Sequence, residues 1–440
     1  MHEEVPTRQV PLLQQRPFRM LSYTRFCSRV AQNAINFALV LLITEETGRA
    51  FLTSLLVLAL VVPSTAAGLL AGTAADMLPK RLLVFGGDLV RAALCLLFLL
   101  HGGSTASYYL VAILLATATQ FASSAEGAIL PAIVRREDLA RANAIGQAVG
   151  GAAQLVGLGV LTPVVLRVFD SRDALFAICG ALFLVAAVQA LLIGSTASPE
   201  RREIGGEPGG PWWAVGWRAM RSDRAVFHAA IELTLISTAV IILSGLIPTY
   251  ITETLGMRVD LGAIVLLPAA LGVALGLRLA GMVARRLPHS VLSSAGFFVF
   301  VVCLGLLAFV NELAAFLGGY GIFSWLNSVQ IGRFDGGGVV AMCLSFPLGF
   351  AYAMVNVAGQ TVLDDRVPLY LRGRVGATQA ALSAVASSLP VLAAGALSDV
   401  VGVTPVLALL AGGIGAVAAV NLRRGRGAPS GPMVGVVRSR

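Results

Sequence analysis

The chain alternates between long apolar runs and short polar gaps, and this pattern restricts its fold more than any other feature of the sequence. Each run holds about 20 residues or more, which is enough for one helix to cross a bilayer. Lipid offers no hydrogen-bond partner to an unpaired backbone group, so continuously apolar runs predict helices. Only 12% of the residues are charged, against about 25% in soluble domains. This composition excludes a soluble enzyme and a disordered chain.

The runs predict an all-α membrane protein with twelve transmembrane helices in two groups of six. The predicted spans are 19–45, 51–75, 82–100, 107–130, 140–166, 174–195, 225–250, 261–284, 290–311, 337–361, 374–398 and 402–422. Segment 196–224 separates the groups; its second part mixes Trp with Arg, which predicts an amphipathic stretch at the membrane interface. We therefore expect six-helix bundles over 19–195 and 225–422, with polar tails at 1–18 and 423–440.

The distribution of cations predicts the orientation. Most of the 32 Arg and Lys lie in the tails and in the loops on one side of the predicted topology. The loops on the other side hold only Arg49, Arg167, Arg172, Arg258 and Arg333. Cytoplasmic loops are enriched in Arg and Lys, so both termini are predicted to be cytoplasmic. The net charge of +9 then reflects orientation in a lipid bilayer, and no nucleic-acid partner is expected.

A short internal repeat relates the two halves. Gly68 and Gly72 in the second span match Gly272 and Gly276 in the eighth, and a basic residue follows each pair at the same distance. Glycines four residues apart let a helix approach a neighbour closely. Repeated halves indicate two bundles that rock about a central site. The second half is longer, and 312–338 is predicted to be an extracellular insertion at the interface or over the cavity mouth.

The connection between the second and third spans carries a recognisable motif. Residues 72–81 read GTAADMLPKR, which resembles the Gly-x-x-x-Asp-Arg-x-Gly-Arg-Arg motif of the major facilitator superfamily. The DLVR run at 88–91 resembles the bacterial macrolide-efflux and enterobactin-exporter branch of that family. The resemblance covers about residues 18 to 420. It implies two pseudo-symmetric bundles around a cavity, in the plasma (inner) membrane of a bacterium.

The resemblance also implies an ion-pair latch that holds one state of the transport cycle. Its predicted members are Gly72, Asp76, Lys80, Arg81, Asp88, Arg91, Glu126 and Arg374. Glu126 is expected to pair with Lys80 or Arg81, and Arg374 to face Asp76 across the two halves. The alternative is that these are ordinary solvated charges, since an exposed pair contributes only about 0–1 kcal/mol.

Charges inside spans are rare and usually functional, so they are candidate site residues. Glu232 lies about 10 Å into the seventh span at 1.5 Å per residue. A carboxyl group removed from water can take up a proton at neutral pH, so Glu232 is a candidate for proton coupling or substrate binding. The alternative is a hydrogen-bonded structural acid. Asp88 and Arg91 are three residues apart on one helix and can neutralise each other, which favours a structural role.

Neutral amides form the second set of candidates. They are Gln32, Asn33, Asn36, Gln147, Gln154, Asn356 and Gln360. In the family, helices one, four, seven and ten line the cavity, and an amide there can bind substrate hydroxyls or carbonyls. Each amide can equally bridge two helices. Gln32 stands where the exporter branch often has an acid, so proton coupling at that position is not expected.

These features predict a monomeric secondary active transporter that exports a small organic compound, such as a drug, siderophore or secondary metabolite. We expect alternating access and antiport with protons. Uptake of a small metabolite by the same fold remains an alternative, and so does a non-transporting membrane scaffold or receptor. The sequence has no Gly-rich phosphate loop with Lys-Ser/Thr, no spaced His/Cys set and no readable Ser-His-Asp set. ATP coupling, enzymatic activity, a cofactor and a bound metal are therefore not expected.

Overall fold

The computed structural model describes residues 12–101, 104–135, 138–168, 171–193, 212–257, 262–283, 289–319 and 336–425. Within these ranges the chain is helical and has no β-strand. The first half contains α1 (Arg16–Thr47), α2 (Ala50–Met77), α3 (Lys80–His101), α4 (Thr105–Ile133), α5 (Leu139–Val156), α6 (Thr162–Val168) and α7 (Arg172–Leu191). The second part contains α8 (Trp212–Ser222), α9 (Arg224–Thr249), α10 (Gly262–Val283), α11 (His289–Ala308), α12 (Val310–Gly318), α13 (Gly336–Arg366), α14 (Leu369–Val401) and α15 (Val403–Gly425).

The apolar helices account for the predicted spans. Across the described ranges, ten segments are long and apolar enough to cross a membrane, and two shorter apolar helices lie in α10 and α15. The π-helical turn Gly157–Leu161 joins α5 to α6 into one span, and a second π-helical turn, Tyr250–Thr254, extends α9. The predicted all-helical fold is confirmed.

The same helix pairs recur in both halves. Helix α2 packs on α4 as α10 packs on α13, and α3 packs on α7 as α11 packs on α15. Between the halves, α2 contacts α14 and α5 contacts α10, which are equivalent positions in the two repeats. The core of the first half includes Phe98 stacked on Phe176 at 4.0 Å between ring centroids. The core of the second half is built around Phe297 and Phe300.

The repeated glycines pack differently in the two halves. A Cβ added at Gly272 would lie 2.9 Å from the backbone nitrogen of Phe350, and one at Gly276 would lie 2.7 Å from the Cβ of Ala353. A Cβ at Gly72 would meet no atom within 4 Å. The close approach that the spacing predicts therefore occurs between α10 and α13, and Gly72 does not take part in one.

Both ends of the predicted insertion 312–338 belong to helices. Helix α12 begins at Val310 after a break at Phe309, and α13 already begins at Gly336. The reason is packing, because Val310 and Ala314 are buried in the core of the second half. Residues 320–335 of the insertion lie outside the described ranges, as do 194–211, which include the first part of the linker, and the outer parts of both tails.

The amphipathic stretch of the linker forms α8. Its apolar residues Val215 and Met220 are buried against α9 and the start of α14. Gly216 allows close contact, since a Cβ there would lie 2.7 Å from the carbonyl oxygen of Arg374. Trp217 packs against the same cluster, and the Arg221 guanidinium lies 5.6 Å from its ring centroid. The apolar face of α8 thus packs on the protein at the beginning of α14.

Candidate functional site

A cavity of about 470 Å³ lies between the two halves. Its wall comes from α1, α2 and α5 on one side and from α9, α10, α11 and α13 on the other. Sites for small organic ligands usually enclose about 300–1,000 Å³. The cavity is therefore large enough for a small organic molecule, and both halves would contact it.

The wall is mostly apolar and carries a few polar groups. The first half contributes the amides of Asn33, Asn36 and Gln154. The second half contributes the hydroxyl groups of Ser244 and Tyr352 among aliphatic side chains. Every side chain that the structure describes on this wall is uncharged at neutral pH. The polar character of the cavity is thus concentrated on the first half.

A chain of hydrogen bonds supports one of these amides. The Gln32 Nε2 group donates to Asn36 Oδ1 at 2.6 Å. The Thr119 hydroxyl, on α4, lies 2.7 Å from both Gln32 Oε1 and the carbonyl oxygen of Leu115, which share its single proton. Gln32 is buried, with 8% of its surface exposed. Gln32 therefore fixes the orientation of the Asn36 amide from a position behind the cavity wall.

The π-helical turn of α5 brings that helix close to α1 beside the cavity. A Cβ added at Gly157 would lie 2.5 Å from the Val30 carbonyl oxygen and 3.1 Å from the Asn33 Cβ. Leu158 of the same turn lies on the cavity wall. Single π-helical turns are frequent at functional sites. The sequence reasoning missed this turn, and the Gly-Leu-Gly run at 157–159 was its only local signal.

We call the end of the bundle where α1 ends and α2 begins the Ala50 end. An acid, Asp399, connects the two halves there. Asp399, near the end of α14, accepts hydrogen bonds from the backbone N–H groups of Ala50 at 2.6 Å and Phe51 at 3.2 Å. The residue before α2, Arg49, makes no side-chain capping bond of its own. Asp399 thus caps α2 from the other half, and we call this contact the Asp399 cap.

Small residues let the halves approach closely beside the Asp399 cap. A Cβ at Gly395 would lie 2.8 Å from the Ala50 carbonyl oxygen. A Cβ at Gly245 of α9 would lie 2.8 Å from the Ser54 hydroxyl oxygen. Ser54 is 1% exposed and fits between these two glycines. The halves therefore close on each other at the Ala50 end of the cavity.

The structure brings together only part of the predicted amide set. Asn33, Asn36 and Gln154 lie on the described cavity wall, and Gln32 lies directly behind it. Gln147, Asn356 and Gln360 are not among the described wall residues. Helix α4, which the family resemblance placed on the wall, supplies Thr119 to the supporting chain instead. Helices α2, α5 and α10, which the resemblance did not place there, line the described wall as well.

Glu232 also lies away from the described cavity wall. The Ser293 hydroxyl on α11 donates to Glu232 Oε2 at 2.6 Å. His228 is one helical turn earlier on α9. The acid therefore links α9 to α11 inside the second half, and it is not placed to contact a molecule in the cavity in this conformation.

Asp88 and Arg91 form a buried ion pair inside the first half. The Arg91 Nη2 to Asp88 Oδ1 distance is 2.5 Å, and the two residues are 2% and 0% exposed. The Ser28 hydroxyl donates to the same carboxylate at 3.0 Å. The Arg91 guanidinium lies 4.8 Å from the Phe183 ring centroid. This cluster joins α1, α3 and α7, and the expected mutual neutralisation is present.

The cation that pairs with Glu126 differs from the expected ones. Arg25 of α1 lies 3.3 Å from Glu126 Oε2 and also donates to the Glu126 carbonyl oxygen at 2.9 Å. The prediction of Lys80 or Arg81 as this partner is wrong for this conformation, because Arg25 occupies the Glu126 carboxylate. The side chain of Asp76 lies outside the described part of the chain, so its contact with Arg374 stays a prediction.

Comparison with solved structures identifies the fold. The chain is similar to a mutant of the nucleoside transporter NupG, with a TM-score of 0.71 and 12% identity, covering 92% of this chain and 98% of that one. It is similar to an auto-inhibited POT family peptide transporter, with a TM-score of 0.71 and 13% identity over 96% and 99% of the two chains. A bacterial homolog of the human lysosomal transporter Spinster gives a TM-score of 0.68 and 13% identity over 94% and 97%.

Comparison of sequences identifies the family. No curated protein matches the sequence significantly. A family model described as the Major Facilitator Superfamily matches residues 21–340, which is well over half of the chain. The chain therefore belongs to the Major Facilitator Superfamily and is a multi-pass membrane transporter of a small substrate.

Proposed function

We propose that this transporter exports a small organic compound across the plasma membrane of a bacterium by alternating access, in exchange for protons. The observation that carries the proposal is the cavity between the halves together with its closure at the Ala50 end. Both the Asp399 cap and the packing of Ser54 between Gly245 and Gly395 join one half to the other. These contacts must separate before the cavity can open at that end.

The distribution of cations supports the direction. The loops on the Ala50 side of the bundle carry few Arg and Lys, and the opposite loops and tails carry most of them. Cation-rich loops lie in the cytoplasm, so the Ala50 end faces outward and both termini face inward. The described conformation then receives its substrate from the cytoplasm. Export requires the subsequent opening of the Ala50 end.

Glu232 is our candidate for the proton-coupling acid. It sits within α9, whose outer part carries Ser244 on the cavity wall. Protonation would change its bond to Ser293 and so the packing of α9 on α11, since a neutral carboxyl can also donate a hydrogen bond. A helix shared by an acid and a cavity wall provides a physical route between proton binding and substrate binding.

Accumulation of radiolabelled chloramphenicol tests the direction of transport. Bacteria that express the protein should hold less of the drug than cells that carry the empty vector. An uncoupler should remove the difference, because antiport needs the proton gradient. Higher accumulation in the expressing cells would instead indicate uptake. Equal accumulation in all cells, with and without the uncoupler, would contradict the proposed export of this compound.

A further inference from the structure

Two asparagines on the cavity wall present complementary hydrogen-bonding groups. Asn33 Nδ2 donates to the Arg29 carbonyl oxygen at 2.8 Å, so its Oδ1 remains as an acceptor. Asn36 Oδ1 accepts from Gln32 at 2.6 Å, so its Nδ2 group remains as a donor. Residues three apart on a helix lie on one face. One acceptor and one donor are therefore offered to the cavity side by side.

The supporting chain fixes this arrangement. The Thr119 hydroxyl donates to Gln32 Oε1, which directs Gln32 Nε2 towards Asn36. If Gln32 were free to rotate, Asn36 could present its oxygen as easily as its amino group. Gln32 does not lie on the described cavity wall itself. It is a positioning residue that sets which group of Asn36 faces a bound molecule.

The charge of the wall restricts the charge of the molecule. All described side chains on the wall are neutral, from Asn33 on α1 to Tyr352 on α13. Moving an ion out of water without a counter-charge is strongly unfavourable, whereas a neutral polar group needs only matching hydrogen bonds. The wall of the second half offers aliphatic surface from Leu243, Ile247 and Leu348. An apolar body can pack there while a polar group faces α1.

We propose that the cavity selects uncharged, amphipathic solutes that carry one group able both to donate and to accept hydrogen bonds, such as a carboxamide or a hydroxyl. Asn33 and Asn36 hold that group, Gln32 positions Asn36, and the second half holds the apolar part. This inference rests on the proposed function, because it takes the cavity as the transport site, and it adds the substrate class.

Three compounds on one scaffold test the charge preference. At pH 6, N-acetyltryptophanamide is neutral, tryptophanamide is a cation and N-acetyltryptophan is an anion, since an α-amino group has a pKa of about 7.7–8.0. Thermal unfolding of the full-length protein in detergent, measured across a range of each concentration, gives an apparent affinity because a ligand of the folded state raises the midpoint. We expect at least ten-fold tighter binding of the neutral compound than of either ion. Equal or tighter binding of an ion, or stabilisation by none of the three, overturns the proposal.

Variants of α1 locate the effect. Asn36→Leu should remove stabilisation by the neutral amide, and Asn36→Asp should transfer the preference to the cation tryptophanamide. Asn143→Leu, an exposed amide on α5 away from the described wall, is the matched control and should bind like the wild type. Unchanged selectivity in Asn36→Asp would contradict binding at this wall.

Gln32 requires a readout that simple destabilisation would not change. N-acetyltryptophan methyl ester keeps the acetamide of the amide compound but lacks its terminal amino donor. Wild-type protein should prefer the amide to the ester, because Asn33 Oδ1 accepts from that donor. Gln32→Leu should raise this preference several-fold, and Gln32→Met should do the same, because Asn36 can then turn its Oδ1 to the terminal amino group that only the amide carries. An amide-to-ester preference that is unchanged in both variants would overturn the positioning role.

The binding assay and the drug-accumulation assay can refute the substrate class and the proposed function independently of each other. Binding is measured without a membrane or a gradient, so a protein that binds the neutral amide but does not export refutes only the proposed function. A protein that exports chloramphenicol but binds an ion on the tryptophan scaffold more tightly refutes only the substrate class.

Discussion

Removal of the Asp399 cap should shift the protein towards the state that is open at the Ala50 end. The carboxylate accepts two hydrogen bonds from the backbone at the start of α2, at 2.6 Å and 3.2 Å. Loss of a helix N-cap residue weakens a helix by about 0.5–2 kcal/mol. These two hydrogen bonds exist only while the halves are in contact. Their removal therefore destabilises the closed state alone. Asp399→Ala should therefore raise the ratio of open to closed protein by about 5- to 30-fold for 1–2 kcal/mol.

Side-specific labelling measures this shift. Ser244→Cys places a thiol on the cavity wall, in a background where the exposed Cys343 is replaced by Ser. A membrane-impermeant maleimide added outside intact cells reaches position 244 only when the Ala50 end is open. We expect several-fold faster labelling with Asp399→Ala. Asp399→Asn, which keeps one acceptor oxygen, should give a smaller increase.

A second acid at the same end provides the matched control. Glu45 pairs with Arg172 at 3.1 Å, but both belong to the first half, and the Glu45 side chain is 39% exposed. Glu45→Gln removes a charge without removing a contact between halves. Its labelling rate should match that of the parent. Equal rates in Asp399→Ala and in the parent, or an equal increase in Glu45→Gln, would refute the reasoning.

Three further predictions concern other parts of the structure. Asp88→Asn should lower the free energy of unfolding by about 3–5 kcal/mol because Arg91 would lose its buried partner. In thermal unfolding, the Asp88→Leu, Arg91→Met double variant should recover most of this loss. Additive losses from the two substitutions would show that the pair is not coupled. Gly276→Ala should destabilise the folded protein by about 1–3 kcal/mol through overpacking against Ala353. Gly72→Ala, with open space around it, should be neutral or should stabilise the folded protein by up to about 1 kcal/mol. Similar effects at the two sites would contradict the difference in packing. Glu232→Gln should abolish gradient-driven export in vesicles but leave exchange of labelled for unlabelled compound intact, and retained gradient-driven export would exclude Glu232 as the coupling acid.

The sequence determines the spans because each depends only on local hydrophobicity. An apolar run of about 20 residues is expelled from water wherever its neighbours lie. The pairing of Asp88 with Arg91 was predictable for a similar reason, since both residues are on one turn of one helix. Glu232 was predictable as an acid inside a span, but its bond to Ser293 depends on the rotation of two helices about their axes.

Contacts between distant segments left no signal in the sequence. Asp399 meets Ala50 across 349 positions, and neither residue belongs to a motif. Arg25 pairs with Glu126 because α1 turns that face towards α4, which hydrophobic periodicity alone does not fix. The cavity wall likewise depends on how far the halves have closed. Of the predicted amides, only those on α1 and α5 that face the space between the halves lie on the described cavity wall.

The placement of the charges explains how two states can have similar free energies. The Asp88–Arg91 and Arg25–Glu126 ion pairs and the Glu232–Ser293 hydrogen bond each lie within one half, so separating the halves breaks none of them. Among the described residues, the halves are joined at the Ala50 end by small-residue packing and by the Asp399 carboxylate on a helix end. When that end opens, water can solvate both the carboxylate and the freed N–H groups. The difference between states then amounts to a few kcal/mol, which binding of a small solute or a proton is able to reverse.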